Sequence, residues 1–423
     1  MPKDLLDLRR ALELVLNEVR LLPEEPVPLE RSLGRTLSAP VHAEHPVPPF
    51  PSSAMDGFAA RACDLSAAGR SQPVRLRIIG ESRAGHPFPR RVGEGQAVAI
   101  STGAMIPEGA DGVLRVEDVR RLDGYVEVSR PLRRCEDVRR AGEDLAAGAL
   151  ALAAGSFIGP AEIGVLASVG CAAPLCSARP RVSLLSTGDE LAEVGQPLRP
   201  GMIHETNCHV LGALARGAGA RLRTPERVGD DPRSTSDAIE RALDRADVAI
   251  VCGGMSVGEH DHVRASLREL RVQERFFGVA LRPGKPTWFG VHERISDQEI
   301  ERTLVFGLPG NPLSAIVTCV LFVLPALLAS VRADPGRCRS TALLASDWPK
   351  HPGRADVLPC RLEVARSGLI AHPPKAAGSN LLTSFLHSDA LAILPAESAR
   401  VSAGEQVEIE LLRGWAGFGS GHW

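Results

Sequence analysis

Three runs of apolar residues in the second half of the chain each end in a glycine-rich loop. The runs cover 182–185, 247–252 and 303–307, and helical patterns near 206–217, 232–245 and 262–270 lie between them. Strands that are apolar on both faces and alternate with helices are typical of a parallel sheet covered by helices on both sides. The pattern therefore predicts a doubly wound α/β domain over residues 179–331.

The loops after these runs lie where open parallel sheets bind ligands, at the carboxyl ends of the strands. They read STGDEL (186–191), GGMSVGEHD (253–261) and GLPGNP (307–312). Glycines let backbone N–H groups converge on an anion, and nearby carboxylates suit a hard divalent cation. Each loop alone is explained as simply by a turn, a helix cap or a solvated surface. Together, on one sheet edge, they predict a nucleotide or phosphate site with a magnesium-like ion.

The rest of the chain divides by pattern into three further parts. Residues 1–51 and 141–178 read as a helical and extended linker region, with a helical period over 4–20, a proline-stiffened segment at 40–51 and an alanine-rich stretch at 145–176 that favours helix. Short alternating runs separated by glycine turns predict a small inserted β domain over 52–140 and a C-terminal β domain over 332–423.

Composition excludes several classes of protein. The chain has 423 residues, 44% of them hydrophobic and 24% charged, and a formal net charge of −2. This composition excludes disorder over most of the chain. The charge balance shows no excess of positive charge of the kind that binds nucleic acid or an acidic membrane surface. The nine cysteines show no metal-binding or disulfide spacing. We therefore expect reduced thiols, a cytoplasmic location, and neither a nucleic acid nor a membrane partner.

A 19-residue uncharged run at 313–331 is long enough to cross a membrane. Ser314, Thr318, Pro325 and Ser330 interrupt it, and a Gly/Pro loop precedes it directly. We interpret the run as a helix buried at a domain interface.

Two motifs outside the strand-end loops also suggest chemistry. Asp56 follows a proline-stiffened segment, so it could be presented rigidly as a base or a metal ligand; the alternative is an ordinary Asp-Gly turn. Lys285, one of four lysines, lies in the turn RPGKP (282–286), where it could reach a phosphate; the alternative is a solvated turn lysine. Thr102 lies in a further loop, for which turn chemistry is the simplest explanation, and the segment 142–144 adds two further acids, one of them Asp144.

The ordered set of motifs resembles the molybdopterin molybdenumtransferase family, of the bacterial MoeA and gephyrin E-domain type. The motifs are SAMDGFA, STGAMIPEGADGVLRVED, GEDL, LSTGDEL, CGGMSVGEHD, RPGKP and GLPGNPLSA. The resemblance extends over essentially the full length. It implies an elongated homodimer with a molybdopterin-binding α/β domain, a helical linker region, an inserted β domain and a C-terminal β-barrel-like domain. The implied reaction inserts molybdate into adenylylated molybdopterin and releases AMP, with magnesium assisting.

The resemblance also implies roles for individual residues. The implied catalytic residues are Asp56, Thr102, Asp144, Glu190, Asp230 and Lys285, with Asp56 acting from the second subunit. The implied metal-associated acids are Glu190 and Asp261. The implied substrate-binding residues are Gly188, Gly253, Gly254, Ser256, Gly258, Arg282, Gly310, Asn311, Arg354 and Ser379.

The chain departs from the family pattern at three places. Gly278 stands near where the family commonly has a lysine, and Arg282 replaces the first lysine of the family's KPGK loop. Glu205, in His204-Glu205-Thr206-Asn207, replaces a shorter acid.

Two other functions stay open: a molybdopterin adenylyltransferase, and a paralogue that binds molybdopterin without turnover. The extra domains and the Asp56 motif argue against the first, and Gly278 favours the second.

Overall fold

The computed structural model describes residues 5–255, 262–296, 299–366, 368–374 and 382–412. The chain forms two compact units. The larger unit comprises 1–39, 154–160 and 175–423, and the smaller comprises 40–153 and 161–174. The four-part division expected from the sequence stays a prediction.

The smaller unit is built on a six-stranded sheet. Its strands, in spatial order, are Gly112–Arg115, Gly57–Ala60, Gln96–Ile100, Val74–Ser82, Tyr125–Val128 and Val119–Leu122. Alternate side chains of these strands, Phe58, Leu76 and Val126 among them, pack into one apolar core. Two short antiparallel pairs flank the sheet, Val41–His42 with Leu150–Leu152 and Ser52–Ser53 with Val138–Arg139.

The expectation of helix throughout 145–176 is wrong. The structure has one helix there, Pro160–Ser168, and two short strands, Leu150–Leu152 and Leu175–Ser177. Gly148 and Gly155 adopt left-handed backbone conformations, with φ of 79° and 83°. Turns at these glycines divide the stretch into pieces too short to form a stable helix before Pro160.

The α/β part of the larger unit has a seven-stranded sheet. Its spatial order is Arg221–Leu222, Arg181–Thr187, Val248–Cys252, Glu299–Leu308, Trp288–Ser296 and Gln273–Phe277, and Glu226–Val228 also pairs with Arg181–Thr187. The strands from Arg221–Leu222 to Glu299–Leu308 are parallel, whereas the last two are antiparallel. The sequence pattern indicated the parallel strands but not this antiparallel edge.

Helices cover the sheet. They are Leu8–Asn17, Asn207–Gly217, Pro232–Leu243, Val263–Glu269 and the continuous run Pro312–Thr318, Cys319–Val323 and Leu324–Ser330. The middle segment of that run is a π-helical turn. It ends two residues before Pro325, which has no N–H for the helical hydrogen-bond ladder. The run 312–330 is long and apolar enough to cross a membrane, but 94% of its 18-residue apolar window is buried inside the protein, which supports the interpretation as a buried helix; its place at a domain interface stays a prediction.

The C-terminal part of the larger unit is a closed five-stranded barrel. Its strands, in order around the barrel, are Ala355–Ala365, Gly368–His372, Arg339–Leu344, Gln406–Leu411 and Ala390–Leu394, which pairs again with the first. The short strand Leu281–Arg282 pairs in parallel with the start of Ala355–Ala365. This pairing attaches the RPGKP turn to the barrel. The remaining short pairs are Glu24–Pro26 with Leu175–Ser177, Leu191–Ala192 with Ile203–His204, and Trp348–Pro349 with Arg400–Val401.

Candidate functional site

Three parallel strands of the α/β sheet end side by side. Ser186 pairs with Cys252, and Cys252 pairs with Leu308. The segments that directly follow Thr187, Cys252 and Leu308 therefore leave the sheet at one edge, as the sequence predicts.

A cavity of about 550 Å³ lies at this edge. Seven of the predicted site residues line it: Gly188, Glu190, Asp230, Gly253, Gly254, Gly310 and Asn311. The lining also includes side chains that the sequence analysis did not select, such as Thr187, His204, Thr206 and Asn207. The sequence offered one indication of the last three: the HETN segment (204–207) lies at the start of the helix predicted near 206–217.

The Gly253-Gly254 turn has to be built from glycine. Both residues have positive φ, 92° and 59°. A Cβ on Gly253 would lie 2.6 Å from the carbonyl oxygen of Thr187, and a Cβ on Gly254 would lie 2.5 Å from Cγ2 of Val263. Both glycines also line the cavity, to which they present backbone atoms only, as close approach of a phosphate requires.

Acidic side chains lie along one edge of the cavity. Asp189 Oδ1 accepts a 3.1 Å hydrogen bond from the backbone N–H of Asp230, and Asp230 Oδ2 accepts a longer one, 3.4 Å, from the N–H of Asp189. This reciprocal pair holds the loop after Arg181–Thr187 against the loop after Glu226–Val228. Glu190 is exposed and Asp230 half-buried, so both can reach a ligand in the cavity.

The acid in the HETN segment does not line this cavity. Glu205 is buried, with 6% of its surface exposed, and its Oε1 accepts a hydrogen bond from the N–H of Cys208. It thereby caps helix Asn207–Gly217 and faces a neighbouring cavity of about 310 Å³. The replacement of a shorter acid by glutamate is therefore accommodated at the helix start.

The thiols near the cavity are not nucleophiles at neutral pH. Burial raises the pKa of Cys208 to about 12. Burial also raises the pKa of Cys252, which lines the cavity and contacts the carbonyl oxygen of Pro309, well above its ordinary value. Both groups stay protonated, and the thiolate is the reactive form.

A second cavity of about 390 Å³ adjoins the first, and Pro286 lines both. Three predicted site residues, Arg282, Lys285 and Arg354, line the second cavity together with Asp356. Arg282 Nη1 lies 3.6 Å from Oδ2 of Asp356, whose side chain is buried. The fold thus places a cationic pocket, lined by Arg282, Lys285 and Arg354, beside the first cavity, which has acidic side chains along one edge.

Gly278 is a glycine for a local reason. It has a φ of 91°, and a Cβ there would lie 3.1 Å from Cδ2 of Leu5. Its carbonyl oxygen accepts a hydrogen bond from the N–H of Leu6. The N-terminal segment thus packs over this position, which explains a small residue there.

The smaller unit brings two of its three predicted residues together. The N–H of Thr102 donates a 2.8 Å hydrogen bond to Oδ1 of Asp56, and both side chains are exposed. Asp144 is also exposed; its N–H donates to the carbonyl oxygen of Val47 in a separate loop. The remaining predicted residues, Ser256, Gly258, Asp261 and Ser379, lie outside the described residues.

Three segments of the chain match known families. Residues 6–170 match the MoeA N-terminal region (domain I and II), residues 183–329 match a probable molybdopterin binding domain, and residues 341–412 match the MoeA C-terminal region (domain IV).

Characterised relatives match nearly the whole chain. The chain is 35% identical over 387 residues to a molybdopterin molybdenumtransferase of Haemophilus influenzae, covering 90% of this chain and 92% of the relative. It is 32% identical over 392 residues to one of Bacillus subtilis, covering 92% and 89%. A crystal structure of a molybdopterin biosynthesis MoeA protein from Pyrococcus horikoshii aligns with a TM-score of 0.81 at 32% identity, over 97% of this chain and all of that one.

Proposed function

The chain belongs to the molybdopterin molybdenumtransferase family, and we propose that it inserts molybdate into adenylylated molybdopterin with release of AMP. It is a transferase of molybdenum cofactor biosynthesis, with molybdopterin and molybdate as substrates. One observation supports the proposed reaction most directly. Ser186, Cys252 and Leu308 pair across three neighbouring strands, and the glycine-rich segments that follow them line one cavity.

The cavity suits a substrate that carries phosphate. The bare Gly253-Gly254 backbone can approach phosphate oxygens closely, and Gly310 and Asn311 line the same space. We therefore assign the phosphates of the adenylylated substrate to Gly188, Gly253, Gly254, Gly310 and Asn311. Ser256 and Gly258 belong to the same proposed group.

Magnesium is the cation that we propose for this cavity. Among the described residues no group of three or more His, Cys, Asp or Glu side chains forms a metal site by itself. Mg²⁺ commonly uses one or two carboxylates together with waters and substrate phosphates, and Glu190 and Asp230 offer such oxygens, so the residues fit. When bound, the ion would neutralise charge on the phosphate that leaves as AMP. Glu190 and Asp261 are the two acids that we propose for the ion, and Asp230 is a further carboxylate that lines the same cavity.

The cationic pocket suits the oxyanion substrate. Arg282, Lys285 and Arg354 line it beside a single carboxylate, Asp356, so its side chains carry an excess of positive charge that attracts a dianion such as molybdate. Asp356 beside Arg282 holds that guanidinium at the pocket wall. We propose that these three cations and Ser379 bind molybdate next to the pterin substrate.

The third part of the proposal is a homodimer with shared sites, in which Asp56, Thr102 and Asp144 act on the substrate bound by the partner subunit. Exposed apolar side chains support a protein contact around Asp56. Phe50, Met55, Met105 and Val116 are 36%, 38%, 41% and 50% exposed. Met55 is next to Asp56 in the chain, and the N–H of Val116 donates to the carbonyl oxygen of Asp56, so at least two of these exposed apolar residues lie beside Asp56.

We also propose a cytoplasmic location. All nine cysteines lie in the described part of the chain, and each is a free thiol. Thiols persist in a reducing compartment.

The experiment that tests the reaction is AMP release from adenylylated molybdopterin with magnesium, with and without molybdate. We expect molybdate-dependent release that falls at least about 100-fold in Glu190→Ala, because one positioned metal or acid–base group contributes about that much. Glu193→Ala is the matched control, since Glu193 is an exposed glutamate three residues further along the chain, after the strand Leu191–Ala192, and does not line the cavity. Tight substrate binding without AMP release would instead identify a non-catalytic molybdopterin-binding protein.

A further inference from the structure

Asn207 joins two segments of the cavity wall that are far apart in sequence. It is the first residue of helix Asn207–Gly217 and has 7% of its surface exposed. Its Nδ2 donates a 2.7 Å hydrogen bond to the carbonyl oxygen of Gly310, across a separation of 103 residues. The bond connects the HETN turn to the GLPGNP loop.

The stability of the fold does not explain this asparagine. Its Oδ1 is buried and has no hydrogen-bond partner among the described residues. A buried carbonyl oxygen left unpaired costs about 1–3 kcal/mol, whereas a typical hydrogen bond contributes about 0.5–1.5 kcal/mol. The unpaired oxygen therefore offsets much of what the hydrogen bond from Nδ2 contributes to folding.

Helix capping does not explain it either. Glu205 accepts the hydrogen bond from the N–H of Cys208 at the start of the helix. Thr206, the residue before the helix, makes no capping bond with its side chain. The helix start is thus satisfied by Glu205, and the amide of Asn207 is directed at the neighbouring loop.

The contact determines how the loop faces the cavity. In a trans peptide the C=O of Gly310 and the N–H of Asn311 point in opposite directions. Holding the carbonyl oxygen therefore also orients the next N–H. A glycine peptide without such a contact rotates easily, because no Cβ restricts it.

We propose that Asn207 is a positioning residue for substrate binding, which acts by holding the Gly310–Asn311 peptide in the orientation that the substrate needs. The proposal rests on the proposed function, because it takes the adenylylated pterin as the ligand of the cavity. Asn207 itself need not touch the substrate.

The test compares Asn207→Ala and Asn207→Asp with the wild-type protein. Ser183→Ala is the matched control, because Ser183 is also buried in this domain with an unpaired Oγ but does not line the cavity. Three quantities are measured: amide hydrogen exchange over residues 303–312 in the free protein, the thermal midpoint, and KM and kcat for AMP release.

In Asn207→Ala we expect the exchange rate of the loop amides and KM each to rise by up to about 10-fold, because the loss of one hydrogen bond allows a change of that size. The value of kcat should stay within about twofold of the wild type. Asn207→Asp should have a larger effect, because its carboxylate would face a carbonyl oxygen. Ser183→Ala should change neither exchange nor KM.

Two results would overturn the proposal. One is a lower thermal midpoint in Asn207→Ala with unchanged loop exchange and KM, since that describes a purely structural residue. The other is unchanged values throughout. If instead the wild-type protein fails to bind adenylylated molybdopterin, the proposed function fails, and the positioning role for that substrate fails with it; the exchange data show separately whether the loop depends on Asn207.

Discussion

The backbone N–H of Thr102 donates a 2.8 Å hydrogen bond to the carboxylate of Asp56. The bond fixes one carboxylate oxygen in a loop that is otherwise exposed, and leaves the second oxygen available to a ligand. Asp56→Asn keeps a carbonyl oxygen as acceptor and removes the charge, so the two roles of Asp56 can be separated.

We predict that Asp56→Asn retains the wild-type thermal midpoint but loses at least about 100-fold in molybdate-dependent AMP release. Asp56→Ala should lose activity and also lower the stability of the smaller unit by about 1 kcal/mol, because Thr102 loses its acceptor. Calorimetry and the AMP assay measure the two effects. Full activity in Asp56→Asn would show that the charge has no role in the reaction.

Mixing two inactive variants tests the shared site. In a twofold dimer, a mixed dimer of Asp56→Ala and Glu190→Ala subunits contains one site with both native residues. We predict that co-refolded or co-expressed variants recover up to about a quarter of wild-type AMP release, since about half of the dimers are mixed and half of their sites are intact. No recovery, with mixed dimers shown by mass spectrometry, would place both residues in one subunit or outside the reaction.

The Gly253-Gly254 turn predicts a steric effect. Gly254→Ala places a Cβ 2.5 Å from Val263 and 2.9 Å from Thr187 Oγ1. Gly195→Ala is the control, because Gly195 also has positive φ but has no atom within 4 Å of the added Cβ. We expect Gly254→Ala to lose about 2 kcal/mol more in unfolding free energy than the control, and to lose substrate affinity as well. Equal losses in urea unfolding would mean that the turn adjusts freely.

Lys350 stabilises the barrel side of the cationic pocket. It is 7% exposed, and its Nζ donates to the carbonyl oxygens of Arg354, Pro395, Ala396 and Ser398. Lys350→Met would leave these oxygens without their donor, so we predict a loss of about 3 kcal/mol in unfolding free energy. Arg366→Met, an exposed site in the same barrel, should change it by less than about 0.5 kcal/mol. Urea unfolding measures both; similar values for the two variants would contradict the prediction.

Glu410 makes stability depend on pH. Burial raises its pKa from the ordinary 4.5 to about 7, although Arg339 lies 3.3 Å away. Between these values the folded protein keeps a proton that the unfolded chain has released, so stability falls as pH rises from 4.5 to 7 and then levels off.

We predict that Glu410→Gln removes this part of the pH dependence. The loss of unfolding free energy that Glu410 causes between pH 4.5 and pH 7 is at most on the order of 3 kcal/mol. Above pH 7 the variant should therefore be at least as stable as the wild-type protein. Thermal midpoints measured from pH 5 to pH 8 test this. An unchanged slope in the variant would show that other groups cause the dependence.

Much of the site was predictable from sequence because its signals are local. Apolar runs followed by glycine loops identified the strand ends, and Gly253, Gly254 and Glu190 do line the cavity there; Asp230 lines it too, but only the family resemblance indicated that residue. The long helix after Pro312 was recognisable from its apolar composition and the Gly/Pro loop before it. The prediction of helix throughout 145–176 was wrong because alanine-rich composition alone does not reveal the turns at Gly148 and Gly155.

The sequence by itself determined the strand-and-helix alternation, the glycine cradle and the acids beside it, because periodicity and turn chemistry act over a few residues. Only the tertiary structure decided which loops touch. The bond from Asn207 to Gly310 spans 103 residues, and the reciprocal contact of Asp189 with Asp230 spans 41. Such contacts depend on strand order and register, which are set by packing of the whole sheet, and no local pattern encodes them.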